Sequence, residues 1–303
     1  MIVRFVWRAF CALSIAGIPS VGATATVGDV AVAPGVRLHT VESGPPTAGP
    51  PIVFIPGWSA GAEIWQGQVD RFDDRFRVLS FDPRSQGQSS KATEGNTPEQ
   101  RAVDLHELLA KKRVHRPVLV AWSQAAQDVA AYVLRYGTTD VSGIVLVDAA
   151  IADGASGIAE RPKEAARQFQ FFGIYLRDQE AYLRGMFGAI VSKPQPPGAI
   201  DRFVVTAMKT SPSTGIAMLV SDLFTADRTG ALARMDCPVM IVAAGSSPEL
   251  ATQKAQAEAI KSARFVQVDD AAHAVFLDQP ERFAAALAGF MDEIEGEKPQ
   301  PGL

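Results

Sequence analysis

Apolar residues along the chain follow two rhythms. Short runs rich in Val, Ile and Leu occur at Ile52–Ile55, Arg77–Phe81, Val118–Val120, Ile144–Val147, Val239–Ala243 and Phe265–Val268, each bounded by Gly, Pro, Asp or Ser. Runs of that length predict buried strands. Between them, in Pro98–Lys112, Gln124–Tyr136, Glu249–Lys261 and Pro280–Ile294, apolar residues recur at three- and four-residue spacing, which predicts helices. Strands alternating with helices predict an α/β fold, a mostly parallel sheet with helices on both faces. Two earlier segments, Val27–Ala33 and Val36–Glu42, flank "APGV" and predict a starting hairpin.

The alternation stops between Ile151 and Met235. That interval holds helical patterns such as "EAARQFQFFGIYLRDQEAYLRGMFGAI" and "DRFVVTAMKT", separated by "SKPQPPG". A structureless loop of that length is improbable in a compact domain, so residues 151–235 are expected to form a helical cap inserted after the sixth strand. Its aromatic residues Phe169, Phe171, Phe172, Tyr175, Tyr182 and Phe187 suit either a pocket lining or the cap's own core. Residues 26–150 and 236–295 then form the main domain. The polar, Pro- and Gly-containing stretch 296–303 is expected to be a flexible tail.

Composition narrows the class of protein. A chain of 303 residues with 47% hydrophobic and 20% charged residues is globular, not fibrous or disordered. Arg4 and Arg8, an apolar stretch too short for a comfortable bilayer span, and Ala23-Thr24-Ala25 have the layout of a secretory signal peptide. Residues 1–25 are therefore expected to be removed and the mature protein to be periplasmic or secreted, with no stable membrane insertion; an uncleaved anchor is the alternative. Loss of Arg4 and Arg8 makes the net charge of −4 more negative still, and no basic patch invites nucleic acid. Cys11 would leave with the leader, so Cys237 has no disulfide partner and suits a buried strand entry. With 4 histidines and no Cys-x-x-Cys, nothing forms a metal site, and no cofactor is expected.

One polar residue falls where an apolar strand gives way to an amphipathic helix. Ser123, in "VLVAWSQAAQDVAAYV", suits a helix cap and equally a nucleophile raised on a tight strand-to-helix turn. The blocks "PIVFIPGWSAGAEIW", "RVLSFDPRSQGQSS", "VLVAWSQAAQDVAAYV" and "VDDAAHAVFLDQPERFAAAL", in that order and spacing, resemble the signature blocks of α/β-hydrolase-fold enzymes across nearly the whole mature chain. The family's elbow is G-x-S-x-G, whereas this chain has Ala121-Trp122-Ser123-Gln124-Ala125. Its D-x-R-G-x-G-x-S loop appears as "DPRSQGQS", with Ser85 in place of the first glycine, and Asp82 and Arg84 there suit a scaffolding role.

The resemblance implies Ser123 as nucleophile and His273, in the loop after the last strand, as its base. A serine hydroxyl needs such a base, and imidazole titrates in the right range. It also implies an oxyanion hole formed by the backbone N–H groups of Gln124 and Trp58. The indoles of Trp58 and Trp122 suit either the walls of the site or the core. The family's usual acid position, after the penultimate strand, holds Pro248. The neighbouring Glu249 has a structural explanation, with Ser247, Pro248 and Glu249 reading as N-cap, first position and first-turn acid of a helix. Some lipases and haloalkane dehalogenases of this fold carry the acid one strand earlier, and the corresponding residue here, Asp148, is the expected triad acid. A serine nucleophile directs attack to carbonyl carbon, so the expected activity is hydrolysis of a small to medium carboxylic ester. Lactone hydrolysis, carbon–carbon bond hydrolysis, perhydrolysis and ligand binding without turnover are the alternatives.

Overall fold

The computed structural model describes residues 25–46 and 49–296. The expected signal peptide (1–25) and tail (296–303) lie outside the described residues except for Ala25 and Gly296. Eight strands follow the apolar runs: β1 (Thr26–Ala33), β2 (Val36–Ser43), β3 (Ile52–Ile55), β4 (Val78–Phe81), β5 (Val118–Trp122), β6 (Gly143–Val147), β7 (Val239–Ala244) and β8 (Ala263–Val268). They form one sheet in the order β1-β2-β4-β3-β5-β6-β7-β8. The hairpin β1–β2 and the β2–β4 pair are antiparallel, and the remaining pairs are parallel.

The central strands are buried throughout, as parallel strands covered on both faces must be. Alternate residues face opposite layers. Phe54, Val118, Val120, Trp122, Val145, Val147 and Val242 pack on one side, with α1 (Gln66–Phe72) and the late helices α10 (Val275–Asp278) and α11 (Pro280–Gly296). Ile55, Leu119, Ala121, Ile144, Leu146 and Ile241 pack on the other, beneath α2 (Pro98–Lys112), α3 (Ala125–Tyr136) and α9 (Leu250–Ala259). The short helix α1 is not evident in the sequence pattern, because it turns only Gln68, Val69 and Phe72 inward.

Between β6 and β7 lie five helices, α4 (Ala155–Glu160), α5 (Pro162–Arg177), α6 (Gln179–Ala189), α7 (Ala199–Ala207) and α8 (Pro212–Val220), and then a π-helical turn, Ser221–Thr225. The core on the first face continues into this segment through Tyr175, Leu183, Phe187, Phe203 and Val204. Of its other aromatic residues, Phe172 is buried, Phe171 and Tyr182 are half-buried, and Phe169 is exposed. The core reading therefore holds for Tyr175 and Phe187, with Tyr182 packed against the same core.

Buried charge ties this segment to the sheet layer. Arg101 on α2 donates through Nε to Asp128 on α3 (2.9 Å) and through Nη2 to Asp222 in the π-helical turn (2.6 Å). Arg228 donates to Glu99 (2.9 Å) and to the carbonyl of Asp222 (3.0 Å). Burial raises the carboxyls of both Asp128 and Asp222, and Arg101 opposes that shift. Arg101→Met would leave two buried carboxyls without their shared cation. Removing one partner of a buried pair typically costs about 3–5 kcal/mol. A carboxyl raised in the folded state stabilises fully below the ordinary aspartate range and loses that contribution as pH rises through its folded value. Urea unfolding should therefore show Arg101→Met losing about that much at neutral pH and less at acid pH.

Candidate active site

Ser123 is the first residue beyond β5, and its φ of 56° puts it in the left-handed region. A non-glycine residue there is strained and persists only where its surroundings hold it. Two backbone bonds do so. The Ser123 N–H donates to Val147 O (3.0 Å), and the N–H of Ala126 donates to Ser123 O (3.0 Å). Ala121 and Ala125, which replace the family's glycines, are both buried in the core on the α2–α3 side.

His273 lies in the loop between β8 and α10, with its backbone oxygen bound by Trp122 Nε1 (3.0 Å). Its Nε2 is 2.8 Å from Ser123 Oγ, and its Nδ1 is 2.8 Å from Asp148 Oδ2. An ionised carboxylate only accepts, so it places the ring proton on Nδ1 and leaves Nε2 to accept from the serine hydroxyl. Asp148 follows β6, also with positive φ (46°), and its N–H donates to Val242 O (2.7 Å). Its other oxygen, Oδ1, accepts from Ala244 N–H (3.0 Å) and Gln253 Nε2 (3.3 Å).

Glu249 occupies a different place. Its Oε2 accepts from the N–H of Ala150 (3.1 Å), and it faces a cavity of about 420 Å3 that Ile151, Gln168 and Phe224 also line. The protein around that cavity desolvates the carboxyl and raises it above the ordinary glutamate value. The capping expectation needs correction. The helix starts at Leu250 with Glu249 as N-cap, no side chain caps it, and the Glu249 N–H reaches Ser247 Oγ only at 3.4 Å. Ser247 is turned toward Gln253, whose Nε2 donates to it at 3.0 Å.

The backbone N–H groups of Trp58 and Gln124 make no hydrogen bond among the described residues. Gly57 brings the first of them close to the serine: a Cβ there would lie 2.9 Å from Ser123 Cβ and 3.2 Å from Trp122 O. The Trp58 indole is buried and donates to Gly215 O at the start of α8 (2.8 Å), with its ring edge-on to Tyr175. Both tryptophans thus serve as buried struts, one to the helical segment and one to the loop that carries His273. Asp82 accepts from the N–H of Ala62 (2.7 Å) and Gln88 (2.6 Å), and Arg84 pairs with Asp104 through two bonds (2.7 and 2.6 Å). Ser85 adopts φ 65°, in the left-handed region that favours glycine. Cys237 is buried, which pushes its thiol up to about 11, and His106 stacks on Tyr136.

Other polar residues at the site carry no motif. Buried Asp278 accepts from Ser192 N–H (2.8 Å) and Oγ (2.8 Å), Lys193 N–H (3.0 Å) and Ala272 N–H (2.7 Å), tying the segment after α6 to the loop that carries His273. Its only trace in the sequence is an acid two residues before Pro280.

Comparison with known proteins follows the same outline. A family model described as "Alpha/beta hydrolase family" matches residues 52–286. The non-heme chloroperoxidase CPO-A1 of Kitasatospora aureofaciens is 24% identical over 262 residues, covering 81% of this chain and 93% of that protein. The bifunctional esterase/perhydrolase DCH of Acinetobacter calcoaceticus is 32% identical over 124 residues, 41% of this chain and 45% of that protein. Among solved structures, an esterase (EaEST) from Exiguobacterium antarcticum superposes with a TM-score of 0.77 at 19% identity, covering 87% of this chain and 98% of that one.

Gly57→Ala should disturb the site more than the fold. Overpacking of this kind costs about 1–3 kcal/mol. Urea unfolding should read that loss, while labelling of Ser123 by a fluorophosphonate should slow by about tenfold or more, since small misplacements at a reacting centre are costly.

Proposed function

The chain belongs to the alpha/beta hydrolase family, and from that footing we propose that it is a serine hydrolase cleaving a small to medium carboxylic ester through an acyl-enzyme. The observation that carries this reading is the chain of two 2.8 Å contacts from Ser123 Oγ through His273 to Asp148. Ser123 Oγ attacks the ester carbonyl while His273 Nε2 takes its proton. Asp148 holds the imidazole in the Nδ1–H tautomer and stabilises the imidazolium that forms. The carbonyl oxygen becomes an anion, and the free N–H groups of Trp58 and Gln124 are its donors. His273 returns the proton to the departing alcohol, and water, activated by the same nitrogen, then hydrolyses the acyl-serine.

A second reading has one observation in its favour: a relative is named as both an esterase and a perhydrolase. In that chemistry hydrogen peroxide replaces water at the acyl-serine, releasing a peracid and the free serine.

Two tests address this function. Ser123→Ala should abolish ester hydrolysis and fluorophosphonate labelling with little change in Tm. Asp148→Asn should lower kcat by about 10,000-fold, the scale of a lost triad acid, whereas Glu249→Gln, which can still accept from Ala150, should remain within a few-fold of the parent. A dead Glu249→Gln beside an active Asp148→Asn would move the acid to Glu249.

We also propose that the protein acts outside the cytoplasm. Arg4, Arg8, the short apolar segment and Ala23-Thr24-Ala25 support export. Mass spectrometry of protein from its native host should find a mature N-terminus at Thr26; an intact Met1 would overturn the proposal.

A further inference from the structure

The loop that leads Asp148 away from the sheet is held by amide side chains. Gln127 on α3 donates to Ala150 O (2.9 Å) and accepts from Ala152 N–H (3.0 Å). Gln256 on α9 accepts from Ile151 N–H and donates to Ile151 O, both at 2.8 Å. One turn earlier on the same helix, fully buried Gln253 reaches the side chain of Asp148 itself. We propose that Gln253 is the positioning residue for the acid: it holds Asp148 Oδ1 so that Oδ2 faces His273. This rests on the assignment of Asp148 as the triad acid.

The torsion that sets the plane of a carboxylate is soft, so rotamer preference alone does not aim Asp148 at the imidazole. Hydrogen-bond donors aim it. With Oδ2 committed to His273, the remaining oxygen has Ala244 N–H at 3.0 Å on one side and Gln253 Nε2 at 3.3 Å on the other. The amide can present only its nitrogen to a carboxylate, because turning Oε1 inward would set two acceptors together. Ser247 Oγ, accepting from the same nitrogen at 3.0 Å, fixes that orientation. Gln253 Oε1 is buried without a partner among the described residues, so the side chain is placed for its donor, at some cost to its acceptor. The helix that follows the family's usual acid loop thus contributes a neutral donor that serves an acid carried by the preceding strand.

Gln253→Met keeps the shape and removes the donor. It should lower kcat for p-nitrophenyl butyrate by about tenfold or more, the scale of a lost hydrogen bond to a charged group, with KM within about twofold. Without the Gln253 donor, Asp148 Oδ2 is held less firmly on the imidazole and stabilises the imidazolium less, so the acidic limb of kcat/KM should move to lower pH. In the ligand-free protein the low-field proton resonance of His273 Nδ1–H should shift or broaden. Ser247→Ala, which frees the amide to swing, should move the same readouts less far in the same directions, and it carries the test if Gln253→Met does not fold. The proposal is overturned if either folded variant loses only thermal stability while kcat, pH profile and resonance match the parent. An inactive parent, or an active Ser123→Ala, would instead sink the esterase assignment, and the His273 resonance would still report whether Gln253 aims Asp148.

Discussion

The site depends on the register between β5 and β6. Val118 pairs with Gly143 and Trp122 with Val147, and the ladder continues one step further through the Ser123 N–H on Val147 O. The two strands therefore end level, and the residues that leave them, Ser123 and Asp148, do so side by side with positive φ. A slip of one residue would carry the acid about 3.3 Å along the strand and turn it to the opposite face. Left-handed backbone at non-glycine positions costs roughly 1–2 kcal/mol each. The burial of β5 and β6 on both faces is what sustains that strain at the C-terminal ends of these central strands.

The helical segment is joined to the rest by two kinds of contact that act at different places. Apolar packing through Tyr175, Leu183 and Phe187 extends the core on one face of the sheet, while Arg101 and Arg228 gather Asp128, Asp222 and Glu99 near the other helix layer. Apolar burial favours association without fixing orientation. Buried ion pairs gain little net stability over apolar packing, but removing one partner is costly.

Most of the fold is legible in the sequence because strands and long helices write a periodic apolar pattern. Helix α1 writes too few turns to register. The placement of Ser123, His273 and Asp148 follows from resemblance in ordered blocks, and the choice of Asp148 from the absence of an acid where Pro248 stands. What has no signature is the support around them. Gln256 bonds the backbone of Ile151, 105 residues away, and backbone atoms leave no mark in composition or periodicity. The Ser247 cap misleads for a related reason: its local motif competes with Gln253, a partner available only in the folded chain. Ser85 shows the converse, with a left-handed turn kept without glycine because its Oγ bridges the N–H (3.0 Å) and carbonyl (3.2 Å) of Ala92.

Asp278 has a consequence for how the protein opens. It collects donors from Ser192, Lys193 and Ala272, and the N–H of Ala274 reaches Ile190 O at 2.8 Å, so the end of α6 and the base loop are laced together on both sides of His273. Segments joined in this way open as one cooperative unit, and their amide protons exchange through a single fluctuation. A ligand that pried this corner apart would carry His273 away from Ser123 as it entered.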